Sequence, residues 1–227
     1  MYRYYQSFSL LILDEPDAFP FKGDPVLHGI ARTSCHGHTI YLTATPDKEL
    51  EKRVKKGDLY CLELNQRPHG HPLPEPAVHT GPLFLRLVWM ILWIRANEGH
   101  PRIIFVPTIK MGEWIWRFLR LWFPVYFCTS KTEDRDTVIE NYRKEKAGIM
   151  VATTVLERGV TIPDVNICIY QADHQIFDKA GLIQMAGRAG RTFDYPDGNV
   201  LFIQGEYSQT AMDCIKDIRR ANQSCGV

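Results

Sequence analysis

Gly148-Ile-Met-Val-Ala152-Thr153-Thr154-Val-Leu-Glu157-Arg158-Gly159-Val160-Thr161-Ile162-Pro163 is the stretch on which the fold turns. Its apolar start reads as a short buried strand of a parallel sheet. Two threonines end the strand, a glycine-containing turn follows, and Pro163 closes it. Outward from this stretch, apolar runs alternate with helical periodicity. Before it the pattern predicts helix 82–97, strand 102–106, helix 109–122, strand 125–128 and helix 132–145. After it come strand 165–170, helix 178–187, strand 199–203 and helix 208–222. Strands alternating with helices predict an α/β fold, a parallel sheet with helices on both faces.

The first quarter of the chain predicts strand 9–14, helix 24–34, strand 38–43, helix 47–55 and strand 58–64. Between the two parts stands Arg67-Pro-His-Gly-His-Pro-Leu-Pro-Glu-Pro76, with four prolines in ten residues. That density excludes a helix or an inner strand and reads as an extended linker. The expected organisation is residues 1–66, a linker over 67–80, and residues 81–227.

Composition sets bounds. A chain of 227 residues holds one large or two modest domains. A formal charge of +1 confines any nucleic-acid site to a local groove. The most apolar stretch, Leu83 to Ile94, is interrupted by Arg86 and too short to span a bilayer. The N-terminus carries no signal-peptide pattern, and both features point to the cytoplasm. Six cysteines lie far apart without a C-x-x-C, which reads as reduced core thiols. Cys35-His36-Gly-His38 and His69-Gly-His71 lack a complete four-ligand spacing, so loop histidines are the simpler reading. Trp89 and Trp93, four apart on an apolar helix, read as core.

Four groups of residues carry chemistry. Ser9-Leu-Leu-Ile-Leu13-Asp14-Glu15-Pro16-Asp17 is an apolar strand whose carboxyl end bears acids. That edge is where open α/β sheets bind ligands. Asp14 suits a hydrated Mg²⁺ and Glu15 an attacking water. The other reading of the same acids is a helix cap. Thr43, Ala44 and Thr45 follow a second short strand, ahead of Pro46. Thr153 and Thr154 end a third strand, where hydroxyls and backbone N–H groups suit a phosphate backbone. Thr129 and Ser130, with Lys131 and Thr132, follow a fourth. There a phosphate contact and an N-cap by Thr132 or Ser130 are equally good readings. Last, Gln184-Met-Ala-Gly187-Arg188-Ala-Gly190-Arg191 presents two arginines three apart between glycines. Guanidinium forks match phosphate oxygens.

These blocks resemble, in order, the acidic box, motif III, motif V and motif VI of superfamily 2 helicases. The resemblance implies RecA-like domains, one complete C-terminal helicase domain and the tail of a first one. It implies ATP held by Gly159, Gln184, Gly187, Arg188 and Arg191, with Asp14, Glu15, Arg188 and Arg191 catalytic and Mg²⁺ held by Asp14 through water. Arg191 is then the finger and Arg188 its partner. Thr43, Ala44 and Thr45 couple nucleotide state to nucleic acid, and Thr129, Ser130, Thr153 and Thr154 contact DNA.

Tyr4-Tyr5-Gln6-Ser7-Phe8, Asp14-Glu15-Pro16-Asp17-Ala18-Phe19-Pro20, the Thr153–Thr161 run and Ala172-Asp173-His174 further resemble the late-competence DNA-uptake ATPase family, ComFA. That resemblance covers essentially the whole chain and aligns it with the family's C-terminal portion. It implies an ATP-driven single-stranded-DNA translocase on the cytoplasmic side of the membrane, not itself transmembrane, working with other competence proteins. The family's four-cysteine zinc module has no counterpart here, so no zinc is expected. Pro16 replaces the more usual Val or Ala. No G-x-x-x-x-G-K-[ST] occurs, so the chain reads as a truncated piece without ATPase activity of its own. Two other readings stand beside this one. One is a replication-restart or repair-type helicase, and the other is a non-catalytic DNA-binding module.

Overall fold

The computed structural model describes residues 3–16, 20–21, 23–64, 67, 69–153 and 162–224. The chain divides into two compact units, Met1–Glu63 and Leu64–Val227.

In the first unit β1 (Phe8–Asp14) and β2 (Cys35–Leu42) pair in parallel, with Asp14 opposite Leu42. Between them runs α1 (Pro25–Ser34). Asp24 caps it by accepting from the N–H groups of Val26 and Leu27, and Pro25 opens the first turn. Gly37 stands where the strands come closest, since a Cβ there would overlap the Ser9 carbonyl oxygen. Leu11, Leu13 and Ala31 form a small core. α2 (Lys48–Lys55) follows, capped by Asp47.

The strand expected at 58–64 does not form. Tyr60, Leu62 and Leu64 are more than nine-tenths exposed. Alternating apolar residues make a strand only where another edge takes up their N–H and C=O groups. No described strand pairs with this segment.

The second unit holds one six-stranded, all-parallel sheet. Its members are β3 (Ala77–Thr80), β4 (Arg102–Phe105), β5 (Val125–Cys128), β6 (Ile149–Ala152), β7 (Asn166–Tyr170) and β8 (Val200–Gln204). They lie in the order β3-β8-β7-β4-β6-β5. β4, β6, β7 and β8 are buried throughout, as their unbroken apolar runs require. On one face α5 (Arg135–Lys144), α6 (Lys179–Ala186) and α7 (Gln209–Ser224) cover Phe105, Met150, Ile169 and Phe202. On the other, α3 (Leu83–Ala96) and α4 (Ile109–Leu119) cover Ile104, Val151, Tyr170 and Ile203. The α/β fold with helices on both faces therefore stands as expected.

Two expectations need correction here. The last residues of the expected linker, Ala77–Thr80, are strand β3, paired with Leu201 to Gln204 of β8. Pro76 bars a longer ladder, but the proline-free residues after it have their N–H groups available, and β3 lies at the sheet edge, where such a start is tolerated. The thiol expectation holds for Cys128, Cys168 and Cys214, which are buried and free, whereas Cys61 is free and exposed. Trp93 is buried and Trp89, half-buried, stacks on His79. No described helix is long and apolar enough to cross a membrane.

Candidate nucleotide and nucleic-acid site

In the first unit the acids and the small tripeptide meet at one edge. β1 ends at Asp14, and the Glu15 N–H donates to Leu42 O at 2.8 Å, extending the ladder by one residue. Glu15 has φ +50°, a left-handed conformation unusual for a side-chain-bearing residue. Buried Pro16 disfavours the right-handed helical basin for the residue before it. The strain is of order 1–3 kcal/mol, held by the Leu42 bond. Asp14 is exposed and Glu15 half-buried. Past Leu42, Thr43 Oγ1 accepts from the Thr45 N–H at 3.0 Å, closing a small turn. Asp14, Glu15, Thr43, Ala44 and Thr45 thus share the carboxyl edge of one strand pair. Asp17 lies outside the described residues. An exposed Asp14 beside half-buried Glu15 at a strand end fits a cation such as Mg²⁺ that keeps several waters.

In the second unit Cys128 pairs with Ala152, and the Thr153 N–H donates to Cys128 O at 3.3 Å. Thr129 and Thr153 therefore lie side by side at the carboxyl edge of β5 and β6. Thr132 Oγ1 accepts from the Thr129 N–H (2.9 Å), Thr129 Oγ1 from the Lys131 N–H (3.2 Å), and Thr129 O from the Thr132 N–H (3.2 Å). Thr129 is buried in this turn while Ser130 is exposed. The N-cap of α5 is Asp134, so neither Thr132 nor Ser130 serves as its cap. Thr153 Oγ1 is buried, with no hydrogen-bond partner among the described residues. Thr154 and Gly159 lie outside the described residues.

The arginine octet lies at the opposite edge of the same sheet. α6 begins at its Asp178 cap and ends at Gly187, whose N–H still donates to Ile183 O. The chain then turns through Gly190, at φ +63°. A Cβ there would overlap the Pro196 carbonyl oxygen, so glycine is required both for space and for conformation. Thr192 Oγ1 donates to Asp164 Oδ1, and Tyr195 Oη to Asn166 Oδ1 at 3.3 Å. Asn166 Oδ1 also accepts from the Asn199 N–H at 2.6 Å. These bonds fix the turn beside the starts of β7 and β8. Arg188 is buried, Gln184 and Gly187 are half-buried, and Arg191 is exposed with Nε donating to Gly187 O at 2.9 Å.

Arg67 and His69, which the sequence placed in an extended linker and gave no site role, support this turn. Arg67 Nη1 donates to Ala189 O at 2.9 Å and to Gly190 O, and Nη2 to Gly187 O at 3.2 Å. His69 Nδ1 accepts from the His71 N–H, which leaves Nε2 as the protonated nitrogen, 3.1 Å from Gly190 O. Burial, and then the neighbouring charge of Arg191, bring the Arg67 pKa down to about 10. A basic residue heading a Pro-rich run was the only local signal, and it does not distinguish an anchor from a solvated linker. The arginines gathered here suit an anion. Among the described residues, no three His, Cys, Asp or Glu side chains are grouped as a metal site.

Residues 84–193 match the helicase conserved C-terminal domain. The chain is 37% identical to competence protein ComFA of Streptococcus pneumoniae over 240 residues, covering 99% of this chain and 55% of that protein. It is 29% identical to competence protein ComFA of Bacillus subtilis, covering 97% of this chain and 50% of that protein. The chain thus spans about half the length of the curated relatives it matches. Among solved structures, Saccharomyces cerevisiae Dbp5 bound to RNA and ADP BeF3 superposes with a TM-score of 0.66 at 18% identity, over 96% of this chain and 58% of that one. That likeness concerns fold alone, and the fold it shares is the RecA-like helicase architecture.

Proposed function

With residues 84–193 a helicase conserved C-terminal domain and the whole chain a ComFA relative, we propose that it is part of an ATP-dependent single-stranded-DNA translocase. The motor belongs to superfamily 2 and serves DNA uptake in competence, in the cytoplasm at the inner face of the membrane. The observation that carries the reading is the placement of two chemistries on opposite edges of one sheet. Hydroxyls sit at the carboxyl ends of β5 and β6, and the arginine turn sits beside the starts of β7 and β8.

Each group has a role. Ser130, Thr153 and Thr154, with the main chain around Thr129, hold a DNA phosphate backbone. Such contacts do not read bases, so binding tolerates any sequence. Gln184, Gly187, Arg188 and Arg191, with Gly159, face nucleotide phosphates. Arg191, exposed and tethered by Nε, keeps its two Nη groups for the charge that spreads over the transferring phosphoryl oxygens. Arg188 assists it. Asp14 would hold Mg²⁺ through water, and Glu15 would orient the attacking water. Thr43, Ala44 and Thr45, one residue from Glu15 across the ladder, relay nucleotide state. ATP, when bound, supplies the phosphoryl group whose transfer these residues stabilise.

The test is titration of the chain with an unstructured single-stranded DNA at low salt. Weak, sequence-tolerant binding that falls with added salt and falls further with Thr153→Ala and Thr154→Ala supports the reading. Absence of binding, or binding indifferent to both substitutions, removes the DNA edge. The 227-residue chain alone, which contains no G-x-x-x-x-G-K-[ST], is expected to hydrolyse ATP at background rate. Robust DNA-stimulated turnover by it would contradict this.

A further inference from the structure

We propose that Arg67 is the positioning residue of the arginine turn. It makes the grip of Arg191 on phosphate depend on how the incoming Pro-rich segment is seated. The inference rests on the reading of Arg191 as a phosphate ligand, and adds a residue on which that reading is silent.

The end of a helix leaves carbonyl groups without intrahelical donors. Here three carbonyls at and beyond the end of α6, those of Gly187, Ala189 and Gly190, receive one guanidinium from a residue about 120 positions earlier. A planar fork can serve several carbonyls at once, and an ammonium cannot reproduce that geometry. The partial negative charge at a helix C-terminus offsets some of the cost of burying a cation. Gly190 makes the seat, for a Cβ there would stand 3.1 Å from Arg67 Nη1. His69 adds a second contact to Gly190 O from the same segment.

The link to Arg191 is a shared atom. Gly187 O accepts from Arg67 Nη2 at 3.2 Å and from Arg191 Nε at 2.9 Å. Arg67 therefore fixes the carbonyl from which Arg191 takes its orientation. Its Nη groups are engaged by main-chain oxygens, so it acts through Arg191 instead of touching phosphate itself. Residues 72–76 lead on from this anchor to strand β3, so the segment that enters the second unit is pinned at the turn before it joins the sheet.

The experiment is a double-mutant cycle on the 227-residue chain with inorganic pyrophosphate as the probe, read by titration calorimetry and by the arginine Nε–H resonances. Melting temperatures are recorded for every variant. Arg191→Ala is expected to weaken pyrophosphate about tenfold, and Arg67→Ala by a similar factor. Arg67→Lys should not rescue. In the Arg191→Ala background, Arg67→Ala should cost nothing more. A merely structural Arg67 lowers the melting temperature in both backgrounds but does not produce this coupling. If Arg67→Ala fails to fold, Arg67→Lys, which keeps the charge and the stem, carries the cycle. Unchanged binding in the Arg67 variants, or a loss that adds to that of Arg191→Ala, overturns the proposal and leaves the phosphate reading intact. Wild type and Arg191→Ala binding pyrophosphate equally, or not at all, removes the phosphate reading and this proposal with it.

Discussion

The two edges of the second sheet are built by different means. The threonine edge is local. Strand register sets Thr129 beside Thr153, and bonds within four residues shape the 129–132 turn. The arginine edge is assembled from a distance. Arg67, His69, Asp164 and Asn166 all reach the 187–199 segment from elsewhere in the chain. At the threonine edge Thr153 Oγ1 is left buried without a partner among the described residues. Charged forks that must meet phosphate oxygens in a set geometry need tertiary support.

The largest effect that would break this contrast lies at Gly190. Gly190→Ala adds a positive-φ penalty to a collision with the Pro196 carbonyl, and about 3 kcal/mol of stability should be lost. Gly99→Ala is the control in the same unit. Its φ is +94° but nothing lies within 4 Å of a Cβ, so about 1–2 kcal/mol is expected. Denaturant unfolding of the two variants measures the difference, and equal losses would mean that the turn at Gly190 yields freely.

At neutral pH a smaller effect, which grows only in alkali, separates the buried core of the sheet and α7 from both edges. Burial raises the thiol pKa of Cys214 from 9.0 to about 12, and that of Cys168 moves the same way. The thiols stay neutral in the folded chain while the unfolded chain ionises. Their contribution is therefore whole below about pH 9 and is lost as pH rises towards 12, at about 1.4 kcal/mol per pH unit for each thiol. Cys214→Ala should flatten the alkaline limb of a stability–pH curve. A limb of unchanged slope would contradict the burial argument.

The smallest effects belong to the threonine edge. Ser130→Ala removes an exposed hydroxyl and should leave stability within about 0.5 kcal/mol. It should weaken single-stranded DNA only a few-fold, or about 0.5–1.5 kcal/mol for one hydrogen bond. Loss of folding in this variant would show that the edge, too, depends on tertiary support.

Much of this was legible in the sequence where the code is local. Apolar runs bounded by Gly and Pro gave away β4, β6 and β7, and Asp178 ahead of an apolar helix marked the start of α6. What was not legible was pairing. Tyr60 to Leu64 has the alternation of a strand without a partner, and Ala77–Thr80, behind four prolines, is a strand because β8 receives it. The octet was readable as two arginines between glycines. Its anchor at Arg67 was not, because a guanidinium on backbone carbonyls leaves no periodicity or spacing to find.

In the proposed reading one sheet presents two ligand edges, phosphate at the arginine turn and DNA at the strand ends of β5 and β6. Amide hydrogen exchange of the chain tests it directly, measured free, with pyrophosphate, and with single-stranded DNA. The account predicts that pyrophosphate slows exchange at residues 187–191 and leaves 129–132 and 153 unchanged, and that DNA does the reverse. Both ligands protecting the same residues, or neither protecting either edge, would contradict it.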